Sequence, residues 1–228
     1  MIAVVLGASR GLGRAVAAEL AARSYDVTLV ARNAAALEDA AAAIRVVGGS
    51  ARTLACDVSD LERFAEGFGR PRLVVNCAAV LGPVRPVLDT AMHEVRSVFE
   101  ANAVGAFAAL RTFLPLLAER GGRFVAVSSS SAAIPTEGLA AYCASKAAFE
   151  LLHRAAALES SRTTIVLVRP GAVETRMQAA LREGTTPLAH SARAAATAGR
   201  VRSPGSVAAA LIDAALTAAH GETVELPP

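Results

Sequence analysis

A chain of 228 residues, 54% hydrophobic and 19% charged, is long enough to bury a sizeable core and too apolar to be disordered. Its net charge of +3 comes from arginines scattered without runs, and aromatics make up only 4%, so the charge reads as a solvated surface and not as a nucleic-acid footprint. Cys56, Cys77 and Cys143 are too widely spaced for a disulfide framework or a metal pair; no metal site, membrane span or signal peptide is expected, and the cytoplasm is the expected compartment.

The first strand is predicted at 2–6, "IAVVL", and a helix at 12–23. Between them lies "GASRGLG", in which Gly7, Gly11 and Gly13 punctuate a strand-to-helix turn. A dinucleotide requires such a turn, because the pyrophosphate must meet bare backbone N–H groups and the positive end of a helix. Ser9, Arg10 and Leu12 complete the candidate cofactor-binding turn. The second strand, 26–30, runs into "VARN". A site preferring NAD would place an acid there for the ribose hydroxyls; this chain has Ala31 and then Arg32. Arg32 and Arg10 are suited to pair with a 2′-phosphate, so NADP(H) is favoured over NAD(H). The plainer reading, two of 22 surface arginines, leaves the missing acid unexplained.

A helix follows at 34–47 and a strand at 51–55, after which Asp57 and Val58 are placed to meet an adenine. Ser59 and Glu62 read as a capping box for a helix at 60–67. The fourth strand, 72–76, leads into "NCAA", and helices are expected at 89–99 and 103–119. The fifth strand, 123–128, ends at Ser129, whose hydroxyl would stand at the carboxyl edge of the sheet. The helix at 142–160 carries Tyr142 and, four residues on, Lys146, the one lysine in the chain. That spacing puts both on one helix face, where an ammonium would lower the tyrosine pKa and ready it for proton transfer. Strands at 164–168 and 223–226 and a helix at 206–219, opened by Ser206, complete the pattern. Residues 175–205 fit neither period well and are expected to form a long substrate lid. Its arginines, Arg176, Arg182, Arg193, Arg200 and Arg202, with His190, face Glu183 alone; they suit an anionic substrate or, more plainly, a solvated face.

Strands apolar throughout, alternating with helices, predict an α/β chain: a single-domain Rossmann fold over 1–228, a doubly wound parallel sheet of about seven strands with helices on both faces. The glycine turn together with "S129 … Y142-C-A-S-K146" resembles the short-chain dehydrogenase/reductase family over almost the whole chain. The resemblance implies that Tyr142 is the general acid of a reduction, that Lys146 holds the nicotinamide ribose, that Ser129 polarises the carbonyl and that Asn102, in "EANAVGAF", anchors a proton relay. It also implies that Pro170, Gly171 and Val173 of "RPGAVET" run beside the nicotinamide and that Thr175 contacts its carboxamide or phosphate side. The family's Asn-Asn-Ala-Gly is "NCAA" here: Asn76 and Ala78 are kept, while Cys77 and Ala79 depart from it in a way that adjusts packing without abolishing binding. The family's glycine-rich C-terminal tail, which helps form a homotetramer, is replaced by "GETVELPP", which argues against the homotetramer and for a homodimer or a monomer. The expected activity is NADPH-dependent carbonyl reduction of a small molecule. The alternatives are alcohol oxidation with NADP+ and a regulatory module that binds the cofactor without turnover.

Overall fold

Each apolar run that was expected to be a strand forms one, within one residue at either end. The computed structural model describes residues 1–183 and 186–227. The strands are β1 Ile2–Leu6, β2 Asp26–Ala31, β3 Ser50–Ala55, β4 Leu73–Asn76, β5 Arg123–Val127, β6 Thr164–Arg169 and β7 Thr223–Glu225. They pair in parallel as one sheet in the order β3-β2-β1-β4-β5-β6-β7. Side chains alternate across it: Ala3 and Val5 face one half of the core, Val4 and Leu6 the other. The first half is closed by α1 Gly11–Ala22, α2 Ala34–Val46 and α8 Pro204–Thr217. The second is closed by α4 Gly105–Ala118 and α5 Ala140–Glu159, with Phe113 of α4 against Phe68 at 4.7 Å between ring centroids. Full burial of each such aromatic contributes roughly 1.5–3 kcal/mol. Strand order reverses between β1 and β4, and in an open α/β sheet the crevice at that point, outside the carboxyl ends, receives the ligand.

Several expectations are corrected. The run 58–68 is a 3-10 segment, not an α-helix; its cap is Asp57, whose Oδ1 accepts from the Ser59 N–H at 3.1 Å, and Glu62 pairs with Arg111 instead of closing a capping box. Ser203 caps α8, with Pro204 in its first turn, so Ser206 lies inside the helix and donates back to the Ser203 carbonyl. Proline's fixed φ suits that first turn, which moves the start two residues upstream. The lid contains two helices, α6 Arg176–Leu181 and α7 Pro187–Thr197, capped by Thr175 and Thr186; residues 184 and 185 lie outside the described residues. Finally, α3 Met92–Phe99, a π-turn Glu100–Val104 and α4 run on as one helix of 27 residues, long and apolar enough by composition to cross a membrane, contrary to expectation. Its Val98, Leu110 and Phe113 are buried within the protein, so its apolarity is that of a core helix.

Candidate active site

The glycine turn is built so that nothing larger fits. Gly7 has φ of 75°, and a Cβ there would lie 2.8 Å from the Ala78 backbone. A Cβ at Gly13 would lie 2.3 Å from the Gly7 carbonyl oxygen. The turn is tied down by Gly7 N–H to Val30 O at 2.8 Å and, across the crevice, Cys77 N–H to Leu6 O at 3.0 Å. Arg10 is the residue before α1 and offers no side-chain cap, so the first N–H groups of the helix remain available. Ser9 and Leu12 line the same turn, half-buried, and a Cβ on Gly11 would meet the Thr175 methyl at 3.2 Å. Thus Thr175, predicted from the other end of the chain, does reach the glycine turn.

On the far side of β4, Asn76 Oδ1 accepts from the Ala78 N–H at 3.1 Å and shapes the "NCAA" corner. Among the described residues only Ser24 is a non-glycine with positive φ, so Ala79 sits without backbone strain. Arg32 leaves the end of β2 exposed and is drawn loosely to Asp57, 3.8 Å away. Surface pairs of this kind are weak, so either partner is free to take a ligand. Val58 packs beneath Gly105 of α4. An open cleft of about 760 Å³ starts at Arg32 and Asp57, passes Val80 and ends at Val84 and Arg85; it does not extend to Ser129 or Tyr142.

The catalytic candidates gather one strand over. Ser129 follows β5 and caps a short 3-10 turn, Ser130–Ala132, accepting from the Ser131 N–H at 3.2 Å. Its hydroxyl lies close enough to the Tyr142 phenol to favour phenol ionisation. Tyr142 and Lys146 both face inward from α5, and Lys146 is 1% exposed. Asn102 sits in the π-turn, a helical irregularity frequent at functional sites. Its Nδ2 donates to Val80 O and to Ser145 Oγ, both at 2.9 Å, and its Oδ1 accepts from the Val80 N–H at 2.8 Å. Ser145 Oγ in turn donates to the Tyr142 carbonyl at 2.8 Å. Asn102 therefore fastens the start of α5 to the loop after β4.

The short chain dehydrogenase family model matches residues 1–186. The chain belongs to the short-chain dehydrogenase family. It is 34% identical over 186 residues to "Probable oxidoreductase EphD" of Mycobacterium tuberculosis (strain ATCC 25618 / H37Rv), a match covering 77% of this chain and only 31% of that much longer relative. It is 30% identical over 224 residues to "Carbonyl reductase family member 4" of Danio rerio, covering 92% of this chain and 89% of the relative. Among solved structures it resembles an actinorhodin polyketide ketoreductase variant with NADPH, with a TM-score of 0.87 and 27% identity over 99% of this chain and 95% of that one. That family uses nicotinamide cofactors, and the chain spans about a third of the length of the Mycobacterium relative.

One feature of the site departs from the sequence reading. The Tyr142 pKa is raised, not lowered. Burial raises it and the Cys143 thiol adds to it, while the nearby Ser129 hydroxyl opposes them in part. Lys146 Nζ itself donates to Val127 O at 2.9 Å and lies 3.9 Å from the centre of the Phe149 ring. Burial in turn pushes the Lys146 pKa down to about 8, against an opposing pull from Glu150. Cys77 lies near enough to feel this ammonium, yet burial drives its thiol up to about 12, which makes it an inert packing residue.

The Pro170–Gly171 segment leaves β6, with Gly171 at φ 73°. The protein holds it through a residue that the sequence offers only as part of a basic lid. Arg202 donates from Nη2 to Pro170 O at 2.8 Å, and its backbone pairs with Ala172 and Glu174 on either side of Val173. Arg182 is spent on Glu174, with Nη1 to Oε2 at 2.8 Å, and Arg193 donates to Arg182 O at 2.6 Å. Three arginines of the expected anionic-substrate face are therefore structural, while His190 is exposed as expected. The sequence reading also missed Ser145, Glu150 and Arg169; continuing the helical spacing past Lys146 by one turn reaches Glu150, a charge on a buried face.

Proposed function

We propose that this protein is an NADPH-dependent carbonyl reductase acting on a ketone or aldehyde of a small molecule, with residues 1–228 as one cofactor-binding and catalytic unit. The observation that carries this reading is the meeting of a buried tyrosine, a serine and the lone lysine at the carboxyl edge of the sheet, one strand from a glycine cradle that excludes any Cβ.

The cradle fits a dinucleotide. Gly7, Gly11 and Gly13, with the backbone of Ser9 to Leu12 and the uncapped start of α1, would hold the pyrophosphate. Arg10 and Arg32 would take the 2′-phosphate, and Asp57 and Val58 the adenine. Asn76, Ala78, Pro170, Gly171, Val173 and Thr175 would line the nicotinamide half. A reduced nicotinamide, when bound, supplies the hydride. Tyr142 gives its proton to the carbonyl oxygen, and Ser129 donates a hydrogen bond to that oxygen as negative charge develops on it. Lys146 holds the ribose hydroxyls, and Asn102, fixed to Val80 and Ser145, keeps α5 in register and anchors the path that returns a proton to Tyr142.

Two adjacent helices leave an apolar stripe uncovered, with Val104 at the end of the π-turn, Phe107 on α4, and Leu151 and Leu158 on α5. We read this stripe as the face of a homodimer. The three unpaired cysteines suit the cytoplasm.

The test is a panel of ketones, aldehydes and vicinal diketones with NADPH and, separately, NADH. Turnover with NADPH at a lower KM than with NADH is expected. Tight NADPH binding with no carbonyl turned over would replace this reading with that of a binding module.

A further inference from the structure

The proposed chemistry leaves one buried ion pair unused, and it lies directly beneath the lone lysine. Glu150 follows Lys146 by four residues on the buried face of α5, and its side chain is 9% exposed. Both of its oxygens are taken: Oε1 accepts from Arg169 Nε and Oε2 from Arg169 Nη2, each at 2.8 Å. Arg169 is the last residue of β6, immediately before Pro170, and its Nη1 donates to Glu225 of β7 at 2.6 Å. One carboxylate therefore joins the helix that bears Tyr142 and Lys146 to the strand from which the Pro170–Gly171 segment departs. A buried pair of this sort is weak evidence for stability, since well-packed apolar side chains often do as well, so its placement here calls for another explanation.

Lys146 is surrounded by few charges. From its own helix it meets Glu150 and the Phe149 ring, with Tyr142 one turn before it and His153 two turns beyond. From the end of β4 it meets Cys77, and from β5 the Val127 carbonyl. Burial sends the Cys77 thiol up to about 12 and the His153 ring down to about 4, so both are neutral near pH 7. Burial also pushes the Glu150 carboxyl up, but the hydrogen bonds and the charge of Arg169, with the charge of Lys146, hold it below its ordinary value. Of these neighbours, Glu150 alone is an anion at neutral pH.

We infer that Glu150 is a positioning residue of this active site: its charge keeps the buried Lys146 an ammonium, and its paired bonds to Arg169 fix α5 against the Pro170–Gly171 segment. The inference deepens the reductase reading and rests on it for its kinetic consequence alone.

The chain has a single lysine, which makes the test direct. Lysine labelled with carbon-13 at Cε gives one side-chain signal, and its titration reads Lys146 without turnover. The wild-type midpoint is expected near 8. Glu150→Gln should lower it by about one unit or more, because an opposite charge at close range is lost. Glu150→Asp keeps the charge and should stay near the wild-type midpoint. The alkaline limb of kcat/KM should move with the signal, giving roughly a fivefold loss at pH 8 in Glu150→Gln. An unmoved midpoint in Glu150→Gln overturns the inference, even in an active reductase. A lowered midpoint in a protein that reduces no carbonyl upholds the charge coupling and sinks the reductase reading. Should Glu150→Gln fail to fold, Glu150→Met removes the same charge and reads the same coupling: a lowered Lys146 midpoint is expected, and an unmoved one overturns the inference.

Discussion

The two halves of the candidate site are made of different material. At Gly7–Gly13 the chain presents backbone, and the fit comes from what is missing: one added Cβ would sit 2.3 Å from a carbonyl oxygen. At Tyr142–Lys146 the chain presents side chains, and the fit comes from ionisable groups taken out of water at a cost. Adding atoms should ruin the first end, and removing atoms should relieve the second while ending its chemistry.

The largest effect that sharpens this contrast is expected from Tyr142→Phe, which removes only the phenolic oxygen. Turnover should fall by roughly 10²–10⁴-fold, with cofactor binding kept, as fluorescence titration against NADPH would read. Next comes Lys146→Met. A lysine whose pKa falls from 10.5 to about 8 on folding costs on the order of 3 kcal/mol wherever both states are protonated. Sign follows from burial: the cost is present in full below pH 8 and fades as pH rises from about 8 to 10.5. The variant should therefore melt higher than wild type at pH 7 while losing activity, and a lower melting temperature would break the comparison. At the backbone end, Gly13→Ala should do the reverse, losing about 1–3 kcal/mol of stability from overpacking, together with NADPH affinity. Arg32→Glu should change the NADPH-to-NADH preference by roughly 10–100-fold with stability nearly unaltered, because its pairing with Asp57 is exposed.

The smallest effect is at His153, buried beneath Phe149 with Nδ1 on the Phe149 carbonyl at 2.7 Å and Nε2 unpartnered. Its pKa falls from 6.5 to about 4, so the fold holds the neutral ring, and that contribution is lost as pH drops from about 6.5 toward 4. Replacing it with methionine should flatten the loss of stability over that window in acid-unfolding curves.

These differences follow what a sequence can carry. The seven strands were legible because a strand covered on both faces is apolar at every position, and Gly13 was legible because a helix start with glycine at that spacing has few other uses. The spacing of Tyr142 and Lys146 gave the helix face. It did not give the direction of the ammonium, which depends on Val127, a carbonyl on a strand 19 residues away in sequence. Arg202 was hidden for the same reason: its partner, Pro170, is 32 residues distant, so a stitch across the Gly171 segment reads in sequence as one more surface arginine. The lid helices α6 and α7 are short and separated by "REGTT", too little periodicity for either to register.

The central claim is that Tyr142 supplies the proton in an NADPH-dependent reduction, and the most direct measurement is a paired titration of wild type and Tyr142→Phe, scoring NADPH affinity and carbonyl turnover on the same preparations. Affinity within about twofold and turnover down by a hundredfold or more is the predicted result. Turnover in Tyr142→Phe equal to that of wild type would contradict the account.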